Sequence, residues 1–248
     1  MISSRRIRRA AAAPVLTSLL LIAHPPLSAS QAQPGSRAES FELDPSSTLH
    51  AKPPRGEGTV VLFDGTKWTG WHQHDGAPSE WPVQDDGSVI VQHGNAITDE
   101  SFGSFHLHLE FLCPHVHDAR DQGRANSGVY LHGRYEVQVL DSFGDEPLIN
   151  GCGAVYSIAP PRVNASRPAG EWQTYDIIFR APAPGNETES DHAFVTILHN
   201  GIVIHNNLEL PQTTPGGLDQ GARERGPIML QDHGNPVRYR NIWAQRLD

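Results

Sequence analysis

Cysteine is nearly absent from this chain: two in 248 residues, too few for a disulfide-built scaffold or a Cys-rich zinc module. No stretch reaches the roughly 18 consecutive apolar residues that mark a membrane-spanning helix. With a mean hydropathy of -0.43, this excludes a polytopic membrane protein. Positive charge is scarce. Nineteen Lys and Arg stand against 28 Asp and Glu, a net charge of -9, whereas a general nucleic-acid binder needs a basic face for phosphates. Helical periodicity is missing too, because apolar spacing of three and four never persists and prolines interrupt the candidate windows. No phosphate loop, dinucleotide glycine fingerprint or serine nucleophile elbow is found.

The chain is rich in punctuation instead, with 23 Gly and 20 Pro. Apolar stretches are short and end at Gly, Pro, Asn or Asp, as strands do. Thr59–Phe63 ends at Asp64-Gly65. Trp81-Pro82-Val83 and Ser88–Val91 flank Asp86-Gly87, and Ala193–His199 and Ile202–Asn206 flank Asn200-Gly201, both tight-hairpin signals. Trp68 and Trp71 read as core residues at one end of the fold. An all-β sandwich of about 200–250 residues commonly forms one domain, so a single antiparallel β-sandwich is expected over residues 58–248.

Two segments precede it. Arg5, Arg6, Arg8 and Arg9 lead into an Ala/Leu-rich stretch and then small or polar residues through Ala32. That order is the order of a secretory signal, so residues 1–32 are expected to be a signal peptide and the mature protein to be secreted or periplasmic. Without those four arginines, fifteen basic residues face 28 acidic ones, and the charge becomes -13. Residues 33–57 have few apolar positions and no period, and read as a linker or a loosely docked arm.

Two stretches alternate with period two, the spacing that sends side chains to opposite faces of a strand. In Ser104–Leu112, Phe105, Leu107, Leu109 and Phe111 share a core-facing row, and His106, His108 and Glu110 share a row expected to be solvated or at a groove edge. In Ser127–Asp141, Val129, Leu131, Tyr135, Val137 and Val139 form the apolar row. The opposite row, Tyr130, His132, Arg134, Glu136 and Gln138, combines an aromatic, a His, an Arg, a carboxylate and an amide. Solvated faces carry Thr, Lys, Ser and Glu; this mixture is that of a sugar-binding groove.

Other groupings are weaker. Cys113, His115, His117 and Asp118 include a His-x-His spacing able to hold a divalent metal, although with 14 His in the chain such pairs arise by chance, and no cofactor is expected. Cys113 and Cys152 could form one disulfide in an oxidising compartment. Arg162, in a Pro-bounded loop, could reach the groove rim.

Several segments in order resemble one family: Leu62-Phe63-Asp64-Gly65 with Trp68 and Gly70-Trp71, Asn126–Leu131, Arg134–Ser142, Gly153–Tyr156, Glu171–Asp176, Gly226–Gly234 and Arg238–Trp243. The pattern resembles the 3-keto-disaccharide hydrolase family, also described as 3-keto-α-glucoside 1,2-lyase and 3-keto-2-hydroxy-glucal hydratase domains, over about residues 59–247. The resemblance implies a concanavalin A-like jelly roll, bacterial export and action on small oxidised sugars or glycosides. It does not specify an oligomeric state.

A ketone at sugar carbon 3 acidifies the hydrogen on carbon 2, so a base can remove it and expel the carbon-1 substituent. The step needs a base, an enolate stabiliser and an acid. Glu136 is the expected base, Arg134 and His132 the enolate stabilisers, and His233 the acid. Asn126, Gln138, Tyr130 and Gln231 are expected to bind substrate, with Arg162 at the rim. Arg134 beside Glu136 is expected to keep the carboxylate ionised but weakly basic. Ordinary glycoside hydrolysis would need a second carboxylate, for which Glu110 or Asp232 are the candidates. A non-catalytic carbohydrate-binding module and a structural or adhesion domain are the other readings of the same fold.

Overall fold

The structure, a computed structural model, describes residues 48–183 and 191–248. The signal peptide expected at 1–32 and residues 33–47 of the expected linker lie outside them. Strands dominate the described residues, with no α-helix among them and a 3-10 turn at Asp121–Gly123. No helix among them is long and apolar enough to cross a membrane.

The strands form two sheets. The larger runs in the order β1 (Thr59–Phe63), β12 (Arg238–Arg246), β5 (Phe105–Leu112), β8 (Trp172–Arg180), β9 (Ala193–His199) and β10 (Ile202–Leu210), with β3 (Val89–Ile90) also paired to β12. The smaller runs β2 (Trp71–His72), β4 (Ala96–Thr98), β11 (Met229–Leu230), β6 (Ser127–Leu131) and β7 (Tyr135–Val139). Every pairing between named strands is antiparallel.

The core lies between the sheets. Phe105, Leu107, Leu109 and Phe111 of β5 meet Val129, Leu131, Val137 and Val139 of the β6–β7 hairpin in one buried cluster. A strand buries alternate residues, so these two rows supply matching inner faces of a sandwich. Trp68 stacks on Trp71 and Trp81, with centroids 4.5 and 5.4 Å apart, and closes one end. The Asn200-Gly201 turn joins β9 to β10 as expected, with φ of 51° and 78°. The fold is an antiparallel β-sandwich of jelly-roll type.

Two expectations are corrected. Ser127–Asp141 is not one strand but a hairpin: His132 and Gly133, with φ of 53° and 65°, turn the chain between β6 and β7. Two adjacent positive φ values are what a tight hairpin requires, and they take His132 and Arg134 out of the row. Tyr130 and Glu136 stay together because the turn places them directly opposite each other, with Gly128 opposite Gln138.

The outer row of β5 is not solvated. Glu110 and His108 are fully buried, because β5 is a central strand and its outer face is covered. Trp243 stacks on the His108 ring at 5.1 Å, Asp176 accepts from His108 at 2.9 Å, and Arg240 and Asn241 hold Glu110 at 2.7 and 2.9 Å. Residues of the expected arm add the last layer. The His50 amide donates to Glu110, and the Ala51 carbonyl accepts from Asn241 and Trp243 at 3.0 and 3.2 Å.

Candidate functional site

The outer face of the smaller sheet gathers most of the residues expected at the site. Glu136, in the middle of β7, meets Tyr130 across the hairpin, its Oε2 lying 2.9 Å from the phenolic oxygen. The carboxylate lies over Gly128, where a Cβ would come within 2.5 Å of Oε1; only the missing side chain makes room. Gln231, following β11, donates to the Tyr130 oxygen at 3.2 Å. The Gln138 amide satisfies its surroundings with its nitrogen 3.0 Å from Glu136 Oε1 and 2.8 Å from the Ser127 carbonyl.

The loop 214–219 closes one end. Thr214 Oγ1 accepts from the Glu136 amide at 2.9 Å, and the Pro215 carbonyl lies 2.9 Å from the Tyr130 hydroxyl. Leu218 donates its amide to the Gly133 carbonyl at 2.8 Å, and Asp219 takes a two-point hydrogen bond from Arg134. What remains open is a cavity of about 160 Å³ lined by Gln122, Asn126, Tyr130, Glu136, Gln138, Tyr156, Pro215, Gly216, Gln231 and His233.

Glu136 is the single carboxylate among these lining residues. Burial pushes its pKa up to about 7, against a smaller opposing effect of the Tyr130 hydrogen bond. The expected Arg134 counter-charge is missing, because that guanidinium turns away to Asp219 and to the His132 carbonyl at 2.7 Å. The carboxylate is therefore a stronger base than a neighbouring arginine would allow. Burial, then the adjacent Glu136, raises the Tyr130 phenol far above its usual value, so it stays a neutral hydrogen-bond donor. Asn126 is 2% exposed and its Oδ1 has no partner, while its Nδ2 donates to the Gln122 carbonyl at 2.9 Å. A hydroxyl placed in the cavity would satisfy that orphan acceptor.

Of the residues expected at the site, Asn126, Tyr130, Glu136, Gln138, Gln231 and His233 line one cavity, His233 at its exposed rim. Three do not. His132 is wholly buried in the core, its Nε2 2.8 Å from the Gly103 carbonyl and its ring 4.6 Å from that of Phe179. Burial lowers its pKa to about 4. Arg134 belongs to the clamp on Asp219, and Arg162 is exposed on a loop whose amide donates to Ile204 at 3.0 Å, outside the lining.

The candidate second carboxylates also lie elsewhere. Glu110 is on the far face of the other sheet, and Asp232 accepts from the Gly94 and Gly234 amides at 2.8 Å. Sequence reasoning missed Gln122, Tyr156, Pro215 and Gly216. Tyr156 is brought in because residues 153–156 extend the sheet beyond β7, with its amide donating to the Glu136 carbonyl at 3.0 Å. Pro215-Gly216-Gly217 has the composition of a turn, but nothing local says which face a turn will cover.

Cys113 and Cys152 are both buried free thiols, and Cys152 Sγ sits 3.2 Å from the Tyr175 hydroxyl. Cys113 faces the core while His115 and His117 are exposed, so that grouping does not converge. Among the described residues no group of three or more His, Cys, Asp or Glu gathers as metal ligands do.

Comparisons agree with this architecture. A curated 3-keto-disaccharide hydrolase from Bacteroides thetaiotaomicron is 22% identical over 240 residues, covering 79% of this chain and 81% of the relative. A protein from Parabacteroides distasonis, classed provisionally as a glycosyl hydrolase, has a crystal structure that superposes with a TM-score of 0.70 at 37% identity, over 77% of this chain and 84% of that one. A second protein of that organism, with the same provisional class, superposes at 0.58 with 20% identity, over 77% and 95% of the two chains, and shares the fold. Residues 58–245 match the family described as the 3-keto-alpha-glucoside-1,2-lyase-like domain, and this chain, a carbohydrate-active enzyme by that kinship, belongs to it.

Proposed function

We propose that the cavity cleaves 3-keto-glycosides by elimination followed by hydration, with Glu136 as the base. One observation carries this reading: the cavity holds a single carboxylate, buried, without a cation beside it, and titrating near neutrality. A general base works best with a pKa near the working pH, and burial supplies that here. Two-carboxylate glycoside hydrolysis would need a second acid across the sugar, and the lining has none.

In the proposed step Glu136 takes the proton from carbon 2. The C–H electron pair becomes the C1–C2 double bond, the bond from carbon 1 to the leaving oxygen breaks, and that oxygen takes a proton from His233 at the rim. Water then adds its oxygen to carbon 1, Glu136 returns its proton to carbon 2, and the remaining water proton restores His233. The sum is glycoside plus water giving a 3-keto-sugar and the free alcohol. Neutral donors, the Tyr156 hydroxyl and the Gln122 and Gln231 amides, take the enolate-stabilising role first expected of His132 and Arg134. Asn126 Oδ1 receives a sugar hydroxyl. The basic, apolar, small-residue order of residues 1–32 supports export of the enzyme.

The test is turnover of a 3-keto-glucoside deuterated at carbon 2. Elimination breaks that C–D bond, so kcat/KM falls against the undeuterated compound, and Glu136→Gln lowers kcat by about 10²–10⁴-fold. Release at the same rate from both compounds would mean direct hydrolysis, and binding without release a carbohydrate-binding module. Full turnover by Glu136→Gln would remove Glu136 as base.

A further inference from the structure

The cavity is closed at one end and continued at the other. At the hairpin-turn end, the loop 214–219 is packed so tightly that a Cβ on Gly217 would come within 2.9 Å of the Gly133 carbonyl. At the opposite end Gln122 forms a sill, donating to the Asn150 carbonyl at 2.9 Å while its own carbonyl holds Asn126. Beyond the sill lies a second hollow of about 60 Å³, which shares Gln122 with the first and whose other lining includes Asp121, Arg124, Asp145, Glu146 and Leu148.

We propose that this second hollow is the leaving-group subsite, built for a neutral, ring-shaped aglycone that presents an apolar face. The inference rests on the reading that the first cavity processes 3-keto-glycosides. A substrate whose reacting ring sits at Glu136 cannot extend past the 214–219 loop, so its second half runs over Gln122.

The chemistry of the far side then selects it. Leu148 lines the hollow and is 52% exposed, and the neighbouring Phe143 and Ile149 are 56% and 48% exposed. Three large apolar side chains this open within seven positions form a surface that a flat ring would cover. Charge works in the same direction. Arg124 is paired with Asp145, and Asp121 and Glu146 add two further carboxylates to the rim. An acidic rim repels anionic leaving groups and leaves neutral ones unaffected. The ring could be aromatic or a second sugar; both offer an apolar face, and they are separate arms of the test.

The experiment compares four 3-keto-glucosides on the full chain: 4-nitrophenyl, glucosyl, methyl and glucuronyl. For the wild type, kcat/KM is expected to be lowest for the glucuronyl compound at low salt. Leu148→Ser is expected to raise KM about 5- to 20-fold for the 4-nitrophenyl or glucosyl compound and to leave the methyl compound within about 2-fold. The larger of the first two changes identifies the ring type. Glu146→Lys, a surface change, is expected to raise kcat/KM for the glucuronyl compound by about 5-fold or more, less so in high salt.

Equal losses for all four compounds with Leu148→Ser, or no loss for any, would overturn the subsite while leaving the proposed reaction standing. Indifference of the glucuronyl compound to Glu146→Lys would overturn its charge selectivity. Absence of turnover with every 3-keto-glucoside would sink the reaction itself, and the subsite with it.

Discussion

At the scale of single residues, Glu136 is set by three neighbours acting in different ways. Gly128 gives it space, Gln138 donates to one oxygen, and the Tyr130 hydroxyl lies beside the other at 2.9 Å. Burial dominates and holds the carboxyl at about 7. If the ionised form is the base, kcat/KM should climb about tenfold per pH unit below 7 and level off above it. A hydrogen bond to the charged form lowers a pKa, so deleting it raises one. Tyr130→Phe should therefore move the climbing limb to higher pH, by on the order of one unit. A pH–rate series on both proteins checks this, and a limb that stays in place or moves down would separate Tyr130 from the base.

Much of this set was legible in the sequence. Tyr130, Glu136 and Gln138 fall in one period-two row, and Tyr130 and Glu136 keep the same face on doubling back because three residues, 132–134, separate the two strands. His132 and Arg134 share the parity but occupy the turn, and a His-Gly pair signals a turn less loudly than the Asn-Gly at 200–201, which was recognised.

At the scale of elements, the site is a hairpin with a loop strapped across its tip. The strap is held by backbone contacts at Thr214 and Leu218 and by the Arg134–Asp219 pair. Its position was not legible, because the contacts join residues some 80 positions apart through main-chain groups that every residue carries. The same holds for the outer face of β5. His106, His108 and Glu110 alternate as a solvated row would, and only the partners arriving from β8, β12 and residues 48–51 reveal that His108 and Glu110 are buried.

Gly216 is the tightest point of the strap. Its φ is +78°, and a Cβ there would lie 2.5 Å from the Tyr130 oxygen. Gly216→Ala combines a left-handed backbone cost of about 1 kcal/mol with a contact that must push the phenol off Glu136. The expected result is a loss of at least about 10-fold in kcat/KM with only a small fall in Tm. Unchanged kinetics would show that the strap does not hold Tyr130 in register with the base.

At the scale of the whole molecule, the sandwich buries titratable groups of opposite consequence. Burial lowers the pKa of His132 to about 4 and of His199 to about 3, both from 6.5. Each stays neutral in the folded protein while its unfolded counterpart gains a proton below about 6.5, so their contribution to stability is present above 6.5 and is lost as pH falls. Glu136 acts in the opposite sense. Its folded pKa of about 7 lies above its ordinary 4.5, so its contribution is full below 4.5 and disappears as pH rises towards 7.

Near pH 5.5 His132 and His199 take up about two protons on unfolding, His205, lowered by burial as well, adds to that uptake, and Glu136 releases about one, so the net uptake is about one or more. Stability should then rise with pH there by about 1.4 kcal/mol per unit or more. Glu136→Gln removes the opposing group and should steepen that slope by about a further 1.4 kcal/mol per unit, while stabilising the protein at pH 8 by on the order of 3 kcal/mol. Denaturant unfolding of both proteins between pH 5 and 8 measures both quantities. Parallel curves would mean that Glu136 titrates as an ordinary exposed carboxylate, and the elimination chemistry assigned to it would lose its physical basis.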